Sequence, residues 1–304
     1  MATLKTKTNT PAKKDKKPKG KWTRRGFMAA GVTAGLAAGG ALIIGVAIRP
    51  GHRGPKLAKY STSEGESLLT AWVKIAPDNT VTAIIPHGEM GQGVHTALSA
   101  MLAEELDADW STLEAMEAPA EKEYANFMLG KGFIMGDKAV PGFVEDTLNG
   151  AFLSVSKGMN LQITGGSASV RFTGRFAIQV AGAAAREILM KAASSEWDVK
   201  QSELRTSKGV MYHDASSRSE PYAHFAPAAS KLKPSLHPKM KARKDYTLMG
   251  TSLPRIDLAG KVDGSAQFGI DADVEGMKYA TVKASPVHGQ TVESLDAREA
   301  KAMP

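Results

Sequence analysis

The chain has 304 residues, 42% of them hydrophobic and 23% charged, which gives length for about two domains and a composition suited to a globular protein. Its formal charge is +8, but residues 1–25 carry +9 and residues 26–60 a further +4, so the remainder stands at −5 and a nucleic-acid footprint is absent. With no cysteine, the chain excludes disulfides, thiolate catalysis, iron–sulfur ligation and cysteine-based zinc sites of its own.

Residues 1–60 read as an address. A basic tail runs into 23 uncharged residues, Gly26 to Ile48, long enough at about 1.5 Å per residue to cross a hydrocarbon core of roughly 30 Å. The flank Thr23-Arg24-Arg25-Gly26-Phe27-Met28 resembles the twin-arginine export signal. A small-x-small cleavage site should follow such a run, but it ends in Ala47-Ile48-Arg49-Pro50. The expectation is an uncleaved inner-membrane anchor, basic end in the cytoplasm and bulk on the periplasmic side.

A polar Gly/Pro-rich linker, residues 49–66, leads into a predicted β-hairpin: "TAWVKIA", a Pro77-Asp78-Asn79 turn, then "TVTAIIPH". The turn "HGEMGQGVHT" follows. From about Val94 a helix is predicted, with Val94, Leu98, Met101, Leu102 and Leu106 on one face. Leu113 to Ala118 reads as a strand and "MLGKGFIMGDKAVPGF" as loop. "GGSASVRFTG" (Gly165 to Gly174) reads as a second small-residue loop. It opens onto a strong helix, Arg175 to Trp197, with Val180, Ala184, Ile188 and Lys191 on one face and an Ala181–Ala185 run that permits close packing. "ELRTSKGVMYH" reads as a hairpin through Lys208-Gly209 and "YAHFAPAASKL" as a short helix. From Asp245 a strand–turn rhythm continues to the end, which looks interrupted. The pattern predicts an α+β fold with three parts: residues 1–60, 61–245 and 246–304.

A strand–glycine turn–helix unit aims backbone N–H groups at one spot, where the helix dipole favours an anion. The spacing of Gly88, Gly91 and Gly93 fits neither the phosphate-binding loop nor the dinucleotide fingerprint. Gln92 adds an acceptor and two donors, and the second stretch adds Ser167, Ser169 and Arg171. Each stretch alone reads as a tight structural turn or a ligand cradle; together they predict a binding cleft. The seven histidines are scattered without metal-ligand spacing, so no metal ligand is assigned.

"EMGQGVHT", followed by "GGSASVRFTGRFAIQVAGAAAREIL", resembles the molybdopterin-binding subunit of the xanthine dehydrogenase and aldehyde oxidase superfamily, and within it the isoquinoline 1-oxidoreductase beta subunit type. "KVDGSAQFGIDADVEGMKYATVKASP" resembles the opening of that family's α/β hammerhead domain. The resemblance covers roughly residues 65–304. It implies that residues 61–245 bind the molybdenum cofactor in a cytosine dinucleotide form and that residues 246–304 begin a hammerhead. Gly91, Gln92 and Gly93 would meet the pterin–dithiolene side, and Ser167, Ala168 and Ser169 the pterin and its phosphate. It also implies a separate [2Fe-2S] subunit passing electrons to a cytochrome c or a quinone.

Family members of this type run to more than twice this length, and the catalytic glutamate would lie beyond Pro304. Neither Gly65-Glu66 nor Gly88-Glu89 matches its motif, so no catalytic residue is assigned. Two readings follow. The chain is the N-terminal part of a molybdenum hydroxylase large subunit oxidising aldehydes or N-heterocycles, inactive alone. Alternatively it is a truncated, membrane-anchored remnant that binds cofactor or a partner without catalysis.

Overall fold

The computed structural model describes residues 3–7, 54–135 and 141–302. The twin-arginine stretch and the apolar run Gly26 to Ile48 lie outside them; among the described residues no helix is long and apolar enough to cross a membrane. The chain divides into two compact units, residues 34–266 and residues 1–33 with 267–304. In the smaller unit, strand Thr3–Lys7 pairs antiparallel with strand Thr291–Asp296, and Ile270, Tyr279 and Val282 are at least 90% exposed.

The larger unit opens with α1 (Gly54–Ser61) and a four-stranded sheet of β1 (Ser67–Thr70), β2 (Val73–Ile75), β3 (Val81–Ile85) and β4 (Leu113–Glu117) in that order. The first three strands are antiparallel and β4 is parallel to β3. Asn79, at φ 71°, makes the β2–β3 turn, and its side chain donates to the Gly209 carbonyl at 3.1 Å. Every residue of β3 is buried because both faces of the sheet are covered. Val81, Ala83 and Ile85 join the main core, while Ile84 joins a smaller cluster with Leu57, Leu68 and Tyr124. That double covering explains why the strand reads as a continuous apolar run.

Between β3 and β4 lies α2 (Val94–Leu106), which buries the predicted Val94, Leu98, Leu102 and Leu106 but also Glu104 and Glu105. Next come α3 (Met128–Met135) and α4 (Gly142–Gly158), then α5 (Gly166–Thr173), a π-helical turn Gly174–Ile178, and α6 (Gln179–Trp197). Three expectations are corrected here. Residues 128–135 are helical: the glycines at 130 and 132 depress helix propensity, yet Lys131 of α3 ties to Asn149 and Glu145 of α4 at 2.8 and 3.3 Å. The stretch from Gly166 is the start of a helix that runs on to Trp197, and the π turn lets the chain continue where Gly174 lies against Met101. On α6 Ala184 and Ile188 of the predicted face are buried, together with Ala181, Ala185 and Ala192, whereas Lys191 is exposed.

Close packing of α6 on α2 is as expected from the small residues. A Cβ on Gly182 would stand 2.7 Å from the Leu102 carbonyl, so only glycine fits. A three-stranded antiparallel sheet follows, with β5 (Leu204–Ser207) and β6 (Val210–His213) joined through Lys208-Gly209 as predicted, then β7 (Arg218–Pro221). The predicted short helix is α7 (Tyr222–Ala229). Residues 230–257 then run back across α2 without helix beyond the 3-10 turn Arg243–Asp245, and α8 (Leu258–Asp263) follows. The strand rhythm expected after Asp245 is absent: residues 246–290 form no strand.

Candidate functional site

The β3–α2–β4 crossover carries strands in parallel register from Val81↔Leu113 to Ile85↔Glu117. In such units ligands gather beyond the carboxyl ends of the strands. A cleft of 370 Å³ opens there, lined by His87, Gly88, Glu117, Asn160, Gln162 and Thr164 among others.

The turn from β3 into α2 needs its glycines for their backbone conformation. Gly91 and Gly93 have φ of 95° and 79°, a region that side chains disfavour. These conformations direct amides onto one acceptor, which belongs to the chain itself. Glu89 Oε1 accepts from the N–H groups of Gly91 and Gly93 at 2.8 and 3.0 Å, and Oε2 from that of His95 at 3.2 Å. Burial alone raises the Glu89 pKa, but the backbone donors of Gly93, His95 and Gly91 and the nearby Arg255 charge outweigh it and hold the carboxyl below its ordinary value.

Arg255 closes the turn from far along the chain. Its Nη1 donates to the Gly91 carbonyl at 2.8 Å and its Nη2 lies 3.3 Å from Glu89. Two bonds to Asp257, at 2.9 and 2.8 Å, orient the guanidinium, and Ile256 N–H donates to Thr96 Oγ1 at 3.1 Å. Gln92 folds back on the turn: Nε2 donates to the Gly88 carbonyl at 2.8 Å and Oε1 accepts from Met90 N–H at 2.5 Å. One N–H of its amide remains without a partner among the described residues.

The second stretch meets the first. Gly88 N–H donates to Thr164 Oγ1 at 3.0 Å, and His87 Nε2 pairs with Thr173 Oγ1 at 2.9 Å. Asn126 Nδ2 donates to Thr173 Oγ1 and to the Ser169 carbonyl, at 2.9 and 3.1 Å. Ser167, Ala168 and Ser169 occupy the first turn of α5, the first two exposed and Ser169 buried. Burial, with His95 nearby, pulls the His87 pKa down to about 4, so its ring is neutral at neutral pH. His87 Nδ1 and Ser169 Oγ are both buried without a hydrogen-bond partner among the described residues.

The turn faces open space on one side. Gly91 and Gln92 are exposed and Gly93 is half-buried. A Cβ at Gly88, Gly91 or Gly166 would meet nothing within 4 Å, so the backbone borders open space at three points. Among the described residues no cluster of three His, Cys, Asp or Glu is placed to hold a metal. Sequence reasoning missed Arg255, Asn126, Thr164 and the role of Glu89. For Glu89 a signal exists, since an acidic residue just ahead of a helix suits its N-terminal amides. The others act across 43 to 166 residues of chain, and no local pattern marks them.

Residues 7–123 match a family profile described as a molybdopterin cofactor-binding domain. The chain is 29% identical to the beta subunit of isoquinoline 1-oxidoreductase from Brevundimonas diminuta, over 93% of its own length and 36% of that protein. It is 28% identical to a membrane-bound aldehyde dehydrogenase [pyrroloquinoline-quinone] of Gluconacetobacter polyoxogenes, over 92% of its own length and 31% of that protein. With a nicotinate dehydrogenase subunit of Pseudomonas putida it shares 24% identity, over 84% of its own length and 18% of that protein. The chain thus spans about a third, or less, of the length of these relatives.

Proposed function

Since the chain is a partial member of the molybdopterin-binding xanthine dehydrogenase family, we propose that it is the N-terminal part of a molybdenum hydroxylase large subunit that oxidises aldehydes or N-heterocycles. The observation that carries this reading is the Met-Gly-Gln-Gly turn, exposed at the carboxyl end of β3 and held in shape by long-range contacts. When bound, the cofactor supplies the two-electron redox centre at which substrate oxygenation occurs. Gly91, Gln92 and Gly93 line its pterin side, the free N–H of Gln92 serving as the directional donor. Ser167, Ala168 and Ser169 bind at the other stretch through the exposed Ser167 hydroxyl and the first-turn amides of α5.

A cysteine-free chain carries no iron–sulfur cluster, so electrons leave through a separate [2Fe-2S] subunit toward a cytochrome c or a quinone. The cofactor is the cytosine dinucleotide form, and residues 246–304 open a hammerhead domain. The Arg24-Arg25 signal sends the protein, folded, to the periplasmic side of the inner membrane; export of an Arg24→Lys, Arg25→Lys variant at the normal level would overturn that assignment.

The central test is chemical. Molybdenum and pterin are measured in the purified protein and in Gln92→Ala, with molybdenum and pterin expected in the former and a marked loss in the latter. Release of pyrroloquinoline quinone instead, the cofactor in the name of one relative, would sink the reading. So would equal pterin content in the two proteins.

A further inference from the structure

Glu89 stands where an anionic ligand would be expected to bind. The amides of Gly91, Gly93 and His95 converge at the N-terminus of α2, a ready anion site, yet all three donate to this one carboxylate. The Glu89 side chain is only 8% exposed, and Arg255 faces it at 3.3 Å. An incoming phosphate would have to displace a carboxylate that already fills these three donors and pairs with the guanidinium beside it.

The same contacts fix the face that the turn presents. Gly91 is held at its N–H by Glu89 and at its carbonyl by Arg255. Gln92 is fastened to Gly88 and Met90, the residues on either side of Glu89. We propose that Glu89 is a positioning residue: an internal anion that presets Gly91, Gln92 and Gly93 for a ligand and keeps that ligand's phosphates away from the α2 amides. The presetting stands on geometry alone; only the identity of the ligand rests on the function proposed above.

The test is amide hydrogen exchange across residues 88–96 in the full 304-residue chain, with Glu89→Ala and Glu89→Gln. In Glu89→Ala, exchange at Gly91, Gly93 and His95 rises roughly tenfold or more, the factor that corresponds to one charge-assisted hydrogen bond. Excess acetate at constant ionic strength refills the nest and slows exchange again, whereas chloride does not. A turn that had merely collapsed would not be rescued. Wild-type exchange is indifferent to both acetate and inorganic phosphate.

If the alanine variant does not fold, the glutamine variant decides. Gln retains the acceptor used by Gly91 and Gly93 but loses the one used by His95, so exchange accelerates at His95 alone. Unchanged exchange at all three amides in both variants would overturn the proposal, as would added protection of the wild type by inorganic phosphate. Pterin and molybdenum are assayed in the same preparations as a separate readout. Their content falls in Glu89→Ala and recovers with acetate. If the wild type holds neither, the functional reading fails while the exchange result still decides the role of Glu89.

Discussion

Glu89 and Glu104 stand at opposite ends of α2, and each is wrapped in backbone N–H donors. The donors to Glu89 are two, four and six residues ahead of it. Those to Glu104 are Thr247, Leu248 and Met249, at 2.9, 2.7 and 3.0 Å, reached across 143 to 145 residues, with the Lys241 ammonium at 3.0 Å. Burial opposes ionisation at both carboxyls, and at both the donor ring wins and holds the pKa below the ordinary value. Neighbouring Glu105 shows what happens without a ring. Among the described residues it accepts from Lys241 N–H alone and Oε1 has no partner, and burial pushes its pKa up. A local ring shapes a turn; a remote ring fastens a distant segment. The two are linked, because the segment pinned by Glu104 leads on to Arg255, which returns to Glu89.

The largest test of that contrast is Glu104→Ala. It removes the shared acceptor of three part-buried N–H groups and one of the two carboxylates that Lys241 pairs with, so urea unfolding should show a loss of about 2–4 kcal/mol. Glu89→Ala, whose donors can turn to water, should cost only about 1–2 kcal/mol. Equal losses would break the comparison.

The second test uses pH. The His87 pKa is about 4 in the folded chain against 6.5 ordinarily, so the unfolded state takes up the proton first. Its contribution is complete above pH 6.5 and drains away as pH falls toward 4, on the order of 3 kcal/mol in all. The carboxylates with lowered pKa lose theirs only below their ordinary value of 4.5. His87→Gln should therefore flatten the stability profile between pH 6.5 and 4.5, and a slope that persists there would refute the assignment.

Smaller effects come from packing along α2. Gly182→Ala drives a methyl against the Leu102 backbone and the Glu105 side chain, costing about 1–3 kcal/mol. Gly174→Ala meets the flexible Met101 side chain and should cost less in the same denaturation experiment. Gln92→Ala is the smallest. Its side chain is exposed, so stability should move by no more than about 0.5 kcal/mol while pterin content falls.

Legibility followed the range of the interactions. The β2–β3 hairpin, the onset of α2 at Val94, strand β4 and the Lys208-Gly209 turn rest on neighbours in sequence, and each forms where the pattern places it. Helix α3 and the strandless course of residues 246–290 depart from it. The first is held by Lys131 reaching α4; the second carries the alternation of a strand without a strand partner. At the site, Gly91 and Gly93 revealed a special backbone through glycine's tolerance of positive φ. What they enclose did not show, because a glutamate can equally be a solvated surface charge. Only Glu105, four residues after Met101 and seven after Leu98, visibly intrudes on the apolar face.

The remote ring around Glu104 also sets a timetable for the chain as it is made. During synthesis at about 5–20 residues per second, the donors follow the carboxylate on the order of ten seconds later. Through that interval Glu104 and Glu105 must stay hydrated, so α2 cannot settle its full face onto the sheet. The nascent chain therefore waits with an open edge of core until residues 241–249 arrive. Arg255 comes later still, which makes the Met-Gly-Gln-Gly turn among the last features to mature, after the helix it precedes.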